Sequence, residues 1–318
     1  MTGGAPRAGL LHRLRRAYFG AKGKGPFLPT SSAERQPVHA IGMATVVRNE
    51  ARYLPEWIEF HTMLGVERFF IYDNGSTDDL HGALAPYVER GCVNIIPWLS
   101  FDVYANTQTQ AYGHAIANLG PSCRWVGFFD VDEFVFPTEA EGLVPFLDAR
   151  EHLPAIGVVG LFFGTSGHQE PPAGRVIDVY HHGVPLEVQK RFPRMLNIKS
   201  FVQPHRVELA RSAHYFNLDQ GSAIAYSEYG DALHHMPRGR PERLTTDLIR
   251  YNHYFTRSRS EFEAKRVRRS VRGVRFKPIE QTRTAMFELI ERHAVEDHTI
   301  APWAEKLRRR LDRADAAE

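Results

Sequence analysis

Cysteine is scarce: Cys92 and Cys123 are the only two in 318 residues. They stand in no C-x-x-C pair and could form at most one bridge, which excludes a zinc ribbon and a disulfide framework and makes a reduced, cytoplasmic compartment the expectation. Long apolar runs are lacking too. The longest, residues 155–164, falls well short of the roughly 18–20 residues a membrane helix needs. Excess charge of one sign is also missing. The 40 Lys and Arg against 37 Asp and Glu leave +3, so net charge does not draw the chain to nucleic acid and no nucleic-acid partner is expected. What is present, 43% hydrophobic and 11% aromatic residues, suits one large or two modest domains with a substantial core.

Residues 1–37 form a basic N-terminal segment. Arg7, Arg13, Arg15, Arg16, Lys22 and Lys24 surround a few apolar residues without the continuous core of a signal peptide. A frayed tail is the plain reading, and peripheral contact with acidic lipid at the inner face of a membrane is the alternative. From residue 38 the pattern becomes regular. Short apolar runs at 41–47, 68–72, 92–96 and 125–129 predict strands, and helical spacing at 54–64, 78–88 and 107–118 predicts helices between them. Such alternation predicts an α/β fold, a mostly parallel sheet with helices on both faces, in which ligands bind beyond the carboxyl ends of the strands. A further strand is expected at 156–163, with strand-like pieces near Phe201 and Ile249. The main domain is read as 38–256, and 257–318 as a basic helical extension packed on it, with Arg257, Arg259, Lys265, Arg266, Arg268, Arg269, Arg272 and Arg275 on a basic face.

The residues to watch follow the predicted strands: Arg48-Asn49-Glu50, Asp73-Asn74 and Asp130-Val131-Asp132-Glu133. Two carboxylates one residue apart at a strand end can both reach a hard divalent cation, Mg²⁺ or Mn²⁺, whose remaining positions suit phosphate oxygens and water. A D-x-D arises about once by chance in a chain this long. Here it interrupts the run Val-Gly-Phe-Phe-Asp-Val-Asp-Glu-Phe-Val-Phe, where a polar residue is costly without a partner. Asp73 either closes a tight Asn-Gly turn or accepts a hydrogen bond from a nucleoside. His214 and His253, each in an aromatic segment, are core histidines or third metal ligands. His168 and Glu170, after the Gly164-Thr-Ser-Gly loop, are candidates for a general base.

Several segments together resemble family 2-like and family 92 glycosyltransferases of the GT-A fold. They are Val47-Arg-Asn-Glu50, Leu54-Pro-Glu-Trp-Ile-Glu-Phe-His61, Leu64 through Asp78, and Trp125 through Phe134. Asn252-His-Tyr-Phe-Thr-Arg-Ser-Arg-Ser-Glu-Phe-Glu-Ala-Lys265 is similar to the group's H-Y-x-x-K/R-S-x-x-E-F-x-x-K segment. The resemblance implies a Rossmann-like transferase that uses Mn²⁺ or Mg²⁺ and a nucleotide sugar, usually UDP-linked, and inverts the anomeric centre. The acceptor would be a glycan, a lipid-linked molecule or a small molecule. Asp130 and Asp132 match the metal-binding D-x-D, while Arg48, Glu50, Asp73, Asn74 and Asp130 fall where the group holds its donor. A C-terminal histidine completing the metal site would be His214 or His253, with order along the chain favouring His214. The acidic pair such enzymes carry on the acceptor helix is not visible. Two other readings of the same residues are nucleotidyl transfer and a non-enzymatic basic protein that binds membrane or nucleic acid.

Overall fold

Strand β1 (His39–Val47) lies at the middle of the molecule, with β2 (Arg68–Asp73) and then β3 (Val93–Pro97) parallel on one side and β4 (Cys123–Phe128) parallel on the other. The computed structural model describes residues 37–99, 107–219, 221–234, 244–270 and 277–315. Helix α1 (Leu54–Met63) connects β1 to β2, α2 (Leu80–Glu89) connects β2 to β3, and α3 (Thr107–His114) precedes β4. There follow β5 (Glu133–Pro137), α4 (Leu143–Asp148), β6 (Ala155–Phe162), β7 (Ile198–Val202) and β8 (Ile249–His253). The last helices are α5 (Arg259–Ser270), α6 (Lys277–His293) and α7 (Ala301–Asp315). The central order is β6-β7-β4-β1-β2-β3, with β7 antiparallel to both neighbours. Strand β8 runs parallel to β6 and antiparallel to β5. The expected mostly parallel α/β sheet is therefore present. Among the described residues, no helix is long and apolar enough to cross a membrane.

Alternate residues of a strand face opposite sides of a sheet, and here both sides are covered. Ile41, Met43, Phe69 and Ile71 pack with Trp57 and Ile58 of α1, Leu84 of α2 and Leu307 of α7. Ala44, Phe70 and Tyr72 pack on the other face with Tyr112 of α3. This two-sided burial explains why these strands read as unbroken apolar runs. Helix α1 stops at Gly65, whose φ of +102° suits glycine alone and where a Cβ would come within 2.7 Å of Val144. The predicted helix at 107–118 departs from regularity, since α3 passes at Ala115 into a π-helical turn that ends at Leu119.

Helix α1 also fixes the position of β5. The Trp57 indole N–H donates to the Glu133 carbonyl at 2.9 Å, and the buried His61 joins the two elements. Its Nδ1–H donates to the Trp57 carbonyl (2.8 Å), leaving Nε2 to accept from the Val135 amide (3.2 Å). Protonation would turn that acceptor into a donor facing an N–H. Burial pushes His61 down from 6.5 to about 3, so between those values the unfolded chain binds a proton that the folded chain refuses. The contribution is whole above pH 6.5 and is lost as pH falls, by up to about 1.4 kcal/mol per pH unit. Urea unfolding of wild type and His61→Leu at pH 7.5 and 5.0 should show the variant less stable at pH 7.5, with a smaller loss between the two pH values.

Candidate active site

Three parallel strands end together at Val47, Asp73 and Phe128, and Val47 and Asp73 are partners in register. Beyond β1 the chain turns at Asn49 with φ +58°, a left-handed conformation that asparagine tolerates. Asn49 donates its amide to Ser76 Oγ (3.1 Å) and accepts the Thr77 amide on Oδ1 (2.7 Å), clasping the β1 and β2 loops together. Asp73 Oδ1 accepts the Ser76 amide at 2.8 Å, and the Asn74 amide donates to the Val47 carbonyl at 2.9 Å. Asp73 thus closes the turn, as one of its two expected roles requires. Arg48 is exposed at this edge.

Beyond β4 the carboxylates divide into two groups. Asp130 Oδ2 meets Lys199 Nζ of β7 at 2.8 Å, and its Oδ1 accepts from Gln108 Nε2 of α3 at 2.7 Å. Lys199 also meets Glu133 Oε2 at 3.1 Å, and that same oxygen accepts the Asp130 amide at 2.8 Å. Asp132 takes other partners, with Oδ2 at 3.0 Å from Lys265 Nζ of α5 and Oδ1 at 3.7 Å from His253 Nε2. The reason is register. Strand β8 pairs His253 with Glu133 of β5, and the Tyr254 amide donates to the Asp132 carbonyl at 2.8 Å, so the second half of the chain is laid along the D-x-D turn.

The charges respond to this packing. Burial would raise the Asp132 carboxyl, but Lys265, His253 and Arg257 hold it well below the usual carboxylate range. Burial pushes the Glu133 carboxyl up to about 7 against the pull of Lys199. Burial alone would neutralise His253, yet Asp132 keeps its pKa raised. His214 behaves differently. Its Nδ1 is engaged by the Ile198 carbonyl at 3.0 Å, and burial together with Lys199 lowers it to about 4. Of the two histidines, His253 is the one facing Asp132, contrary to the preference drawn from order along the chain.

Arg257 departs from the expected basic face. Only 2% exposed, it has φ +49°, pairs with Glu50 through Nη1 at 2.9 Å and lies 3.6 Å from the Tyr53 ring centroid. Lys265 is likewise turned to Asp132, while the side chains at 266–275 lie outside the described residues, as do residues 1–36. His168 and Glu170 follow β6, whose Phe162 ring packs 4.9 Å from His253. Their hydrogen bonds go to the start of α5: the His168 carbonyl accepts the Arg259 amide, and Glu170 accepts the Ser260 hydroxyl at 2.7 Å.

The glycosyltransferase family 92 model matches residues 39–286, most of the chain. This chain belongs to glycosyltransferase family 92. A family 92 glycosyltransferase protein of Oryza sativa subsp. japonica is 30% identical over 205 residues, covering 63% of this chain and 33% of that protein. A family 92 glycosyltransferase protein of Arabidopsis thaliana is 31% identical over 192 residues, covering 58% of this chain and 32% of that one. The chain therefore spans about a third of the length of these curated relatives. Among solved structures, S. aureus TarS 1-349 in complex with UDP overlaps 52% of this chain and 47% of that one, at 13% identity and a TM-score of 0.32. An overlap so loose adds nothing to the sequence match. The family 92 match runs through β8 and α5, the elements that bring His253 and Lys265 to the D-x-D turn.

A divalent cation suits part of this family 92 site. An octahedral ion of this size needs neighbouring ligand atoms about 3 Å apart, and the Asp132 Oδ1 to His253 Nε2 separation of 3.7 Å is close to that. Asp130 lies on the same turn but is held by Lys199 and Gln108. Glu133 belongs to the run of residues to watch after β4, whereas Lys199 and Gln108 stand outside every segment the sequence singles out for the site. The signal for Lys199 was a lone charge in Asn197-Ile-Lys-Ser-Phe-Val202, a run otherwise fit for a buried strand.

Proposed function

We propose that this family 92 chain transfers a sugar from a nucleoside diphosphate sugar, UDP-linked, to a hydroxyl of a glycan, lipid-linked or small-molecule acceptor, with inversion. The observation that carries the reading is the approach of Asp132 to His253, on the turn that also carries Asp130, beyond the ends of the parallel strands, where such sheets bind ligands. Family membership favours it over nucleotidyl transfer and over a non-enzymatic surface-binding protein. Asp132 and His253 would hold Mn²⁺ or Mg²⁺, with Asp130 beside them. When bound, such an ion neutralises the diphosphate and stabilises the charge that develops on it as it leaves.

The chain's own groups do the rest. Asp73 and Asn74 border the nucleoside side of the edge, where Asp73 can accept a ribose or base donor. Glu50 orients Arg257, whose positive charge lies close enough to Asp132 to lower its carboxyl. His168 and Glu170, beyond β6, are the candidates for deprotonating the acceptor hydroxyl. A cytoplasmic site of action, with basic segments touching the inner face of a membrane, belongs to the same proposal and rests on composition.

The test is a thermal-shift screen of nucleotide sugars with and without Mn²⁺. A ligand that binds only the native state raises Tm, with a free-energy gain of about 2.7 kcal/mol at a hundredfold excess over Kd. One donor should raise Tm when Mn²⁺ is present and much less when it is absent. Equal shifts with and without the metal, or none with any nucleotide sugar, would count against the reading.

A further inference from the structure

A second group of metal-type side chains lies outside the carboxylate edge. His181, His182 and Glu296 each offer a ligand atom, and these atoms all lie within 4.8 Å of one another. Two adjacent residues of a regular strand point to opposite faces. Here the rings of His181 and His182 converge, with centroids 4.7 Å apart. The backbone enforces this, because Ser166 Oγ accepts the amides of both His181 (3.0 Å) and His182 (3.1 Å), so two successive N–H groups point the same way. Ser166 itself has φ +49°, in the left-handed region.

Glu296 arrives from the other direction. Residues Val295–Glu296 pair antiparallel with His182–Gly183, and Glu296 is the register partner of His182, which places both side chains on one face. The segment is fixed on both sides, since the Asp297 amide donates to the His181 carbonyl at 2.7 Å and Arg250 pairs with Asp297 at 2.6 Å. The His298 ring stacks on His181 at 5.5 Å, and its Nε2 lies 3.8 Å from Glu296. His182 Nδ1 is buried and has no hydrogen-bond partner. A loop with Ser166 in the left-handed region, a two-residue pairing and a half-buried ion pair thus hold two imidazoles and a carboxylate together while a buried ring nitrogen is left without a partner.

We propose that His181, His182 and Glu296 form a zinc site, distinct from the carboxylate edge, that staples the chain between α6 and α7 to the loop after β6. Two imidazoles and one carboxylate suit zinc, whereas magnesium prefers oxygen ligands. Bonds of about 2.0–2.1 Å place tetrahedral ligand atoms about 3.4 Å apart, so the side chains close by about an ångström on binding. His298 or water supplies the fourth position. The proposal is independent of the glycosyl-transfer reading.

The experiment is zinc titration of the chelator-stripped full chain by calorimetry, with the thermal shift measured in parallel. Wild type should bind zinc tightly and gain about 5 °C in Tm at a hundredfold excess over Kd. Glu296→Gln and His181→Ala, which leave the backbone pairing in place, should each weaken that binding about a hundredfold, while Asp132→Asn should retain it. Ligand-field absorption of Co²⁺ bound to the wild type should report a tetrahedral site and be lost in His181→Ala. A zinc count unchanged from wild type in both His181→Ala and Glu296→Gln, or a tetrahedral Co²⁺ spectrum lost in Asp132→Asn, overturns the assignment, as does a wild type that binds no zinc.

Discussion

On the proposed reading, Asp132→Asn is expected to lower metal-dependent turnover of the nucleotide-sugar donor by about a thousandfold. The carboxylate lies between Lys265 at 3.0 Å and His253 at 3.7 Å, and its charge is what would hold a cation at the end of the sheet. Lewis-acid assistance is worth several kcal/mol, and about 4 kcal/mol corresponds to three powers of ten. Asparagine keeps the shape and can still accept from Lys265, while His253 without its carboxylate can lose its proton, so the fold should change little. Steady-state kinetics across a Mn²⁺ titration, read beside Tm, separates chemistry from stability. A variant with wild-type turnover and wild-type metal dependence would remove Asp132 from the reaction centre. One that merely unfolds would show a structural ion pair instead.

Lys199→Met should have the largest effect on stability, a loss of about 3–5 kcal/mol in chemical denaturation. The lysine side chain is 1% exposed and touches both Asp130 and Glu133, whose side chain is 2% exposed. Removing the cation takes away the charge that favours ionised Glu133, so the buried side chain must bind a proton or stay ionised beside Asp130 without a partner. Methionine nearly preserves the volume, so the loss reports charge and not a cavity. Adding Glu133→Gln should recover about half of it, because a neutral amide is far less costly to bury unpaired than a carboxylate. A single variant as stable as wild type would show that the carboxylates are satisfied without Lys199.

The two interactions differ in how far the sequence announced them. Asp130 and Asp132 were visible because polar residues interrupt an apolar strand, a local cost that shows in the string itself. Lys199 left the same kind of mark on β7, but a lone lysine in a short run does not name its partner, which lies 69 residues away. Arg257 was counted with a basic face because charge runs usually face solvent. Its burial depends on Glu50, 207 residues away, and on the Tyr53 ring. His61 fell within the helical spacing at 54–64, yet its tautomer is set by Val135 of a different element.

Alternating apolar runs and helical periodicity, which depend only on neighbouring residues, determined the strands and helices of the first half, the mostly parallel sheet and the edge at which the proposed site lies. The conjunction of motifs determined the family. Tertiary structure alone placed His253, and not His214, against Asp132, gave Lys199 and Lys265 their carboxylates, and brought His181 and His182 to Glu296. Each of these rests on strand register and loop geometry between segments far apart in the chain. Strands buried on both faces carry continuous apolar runs with no alternation to fix their register, so pairing between distant segments is settled only by the assembled sheet.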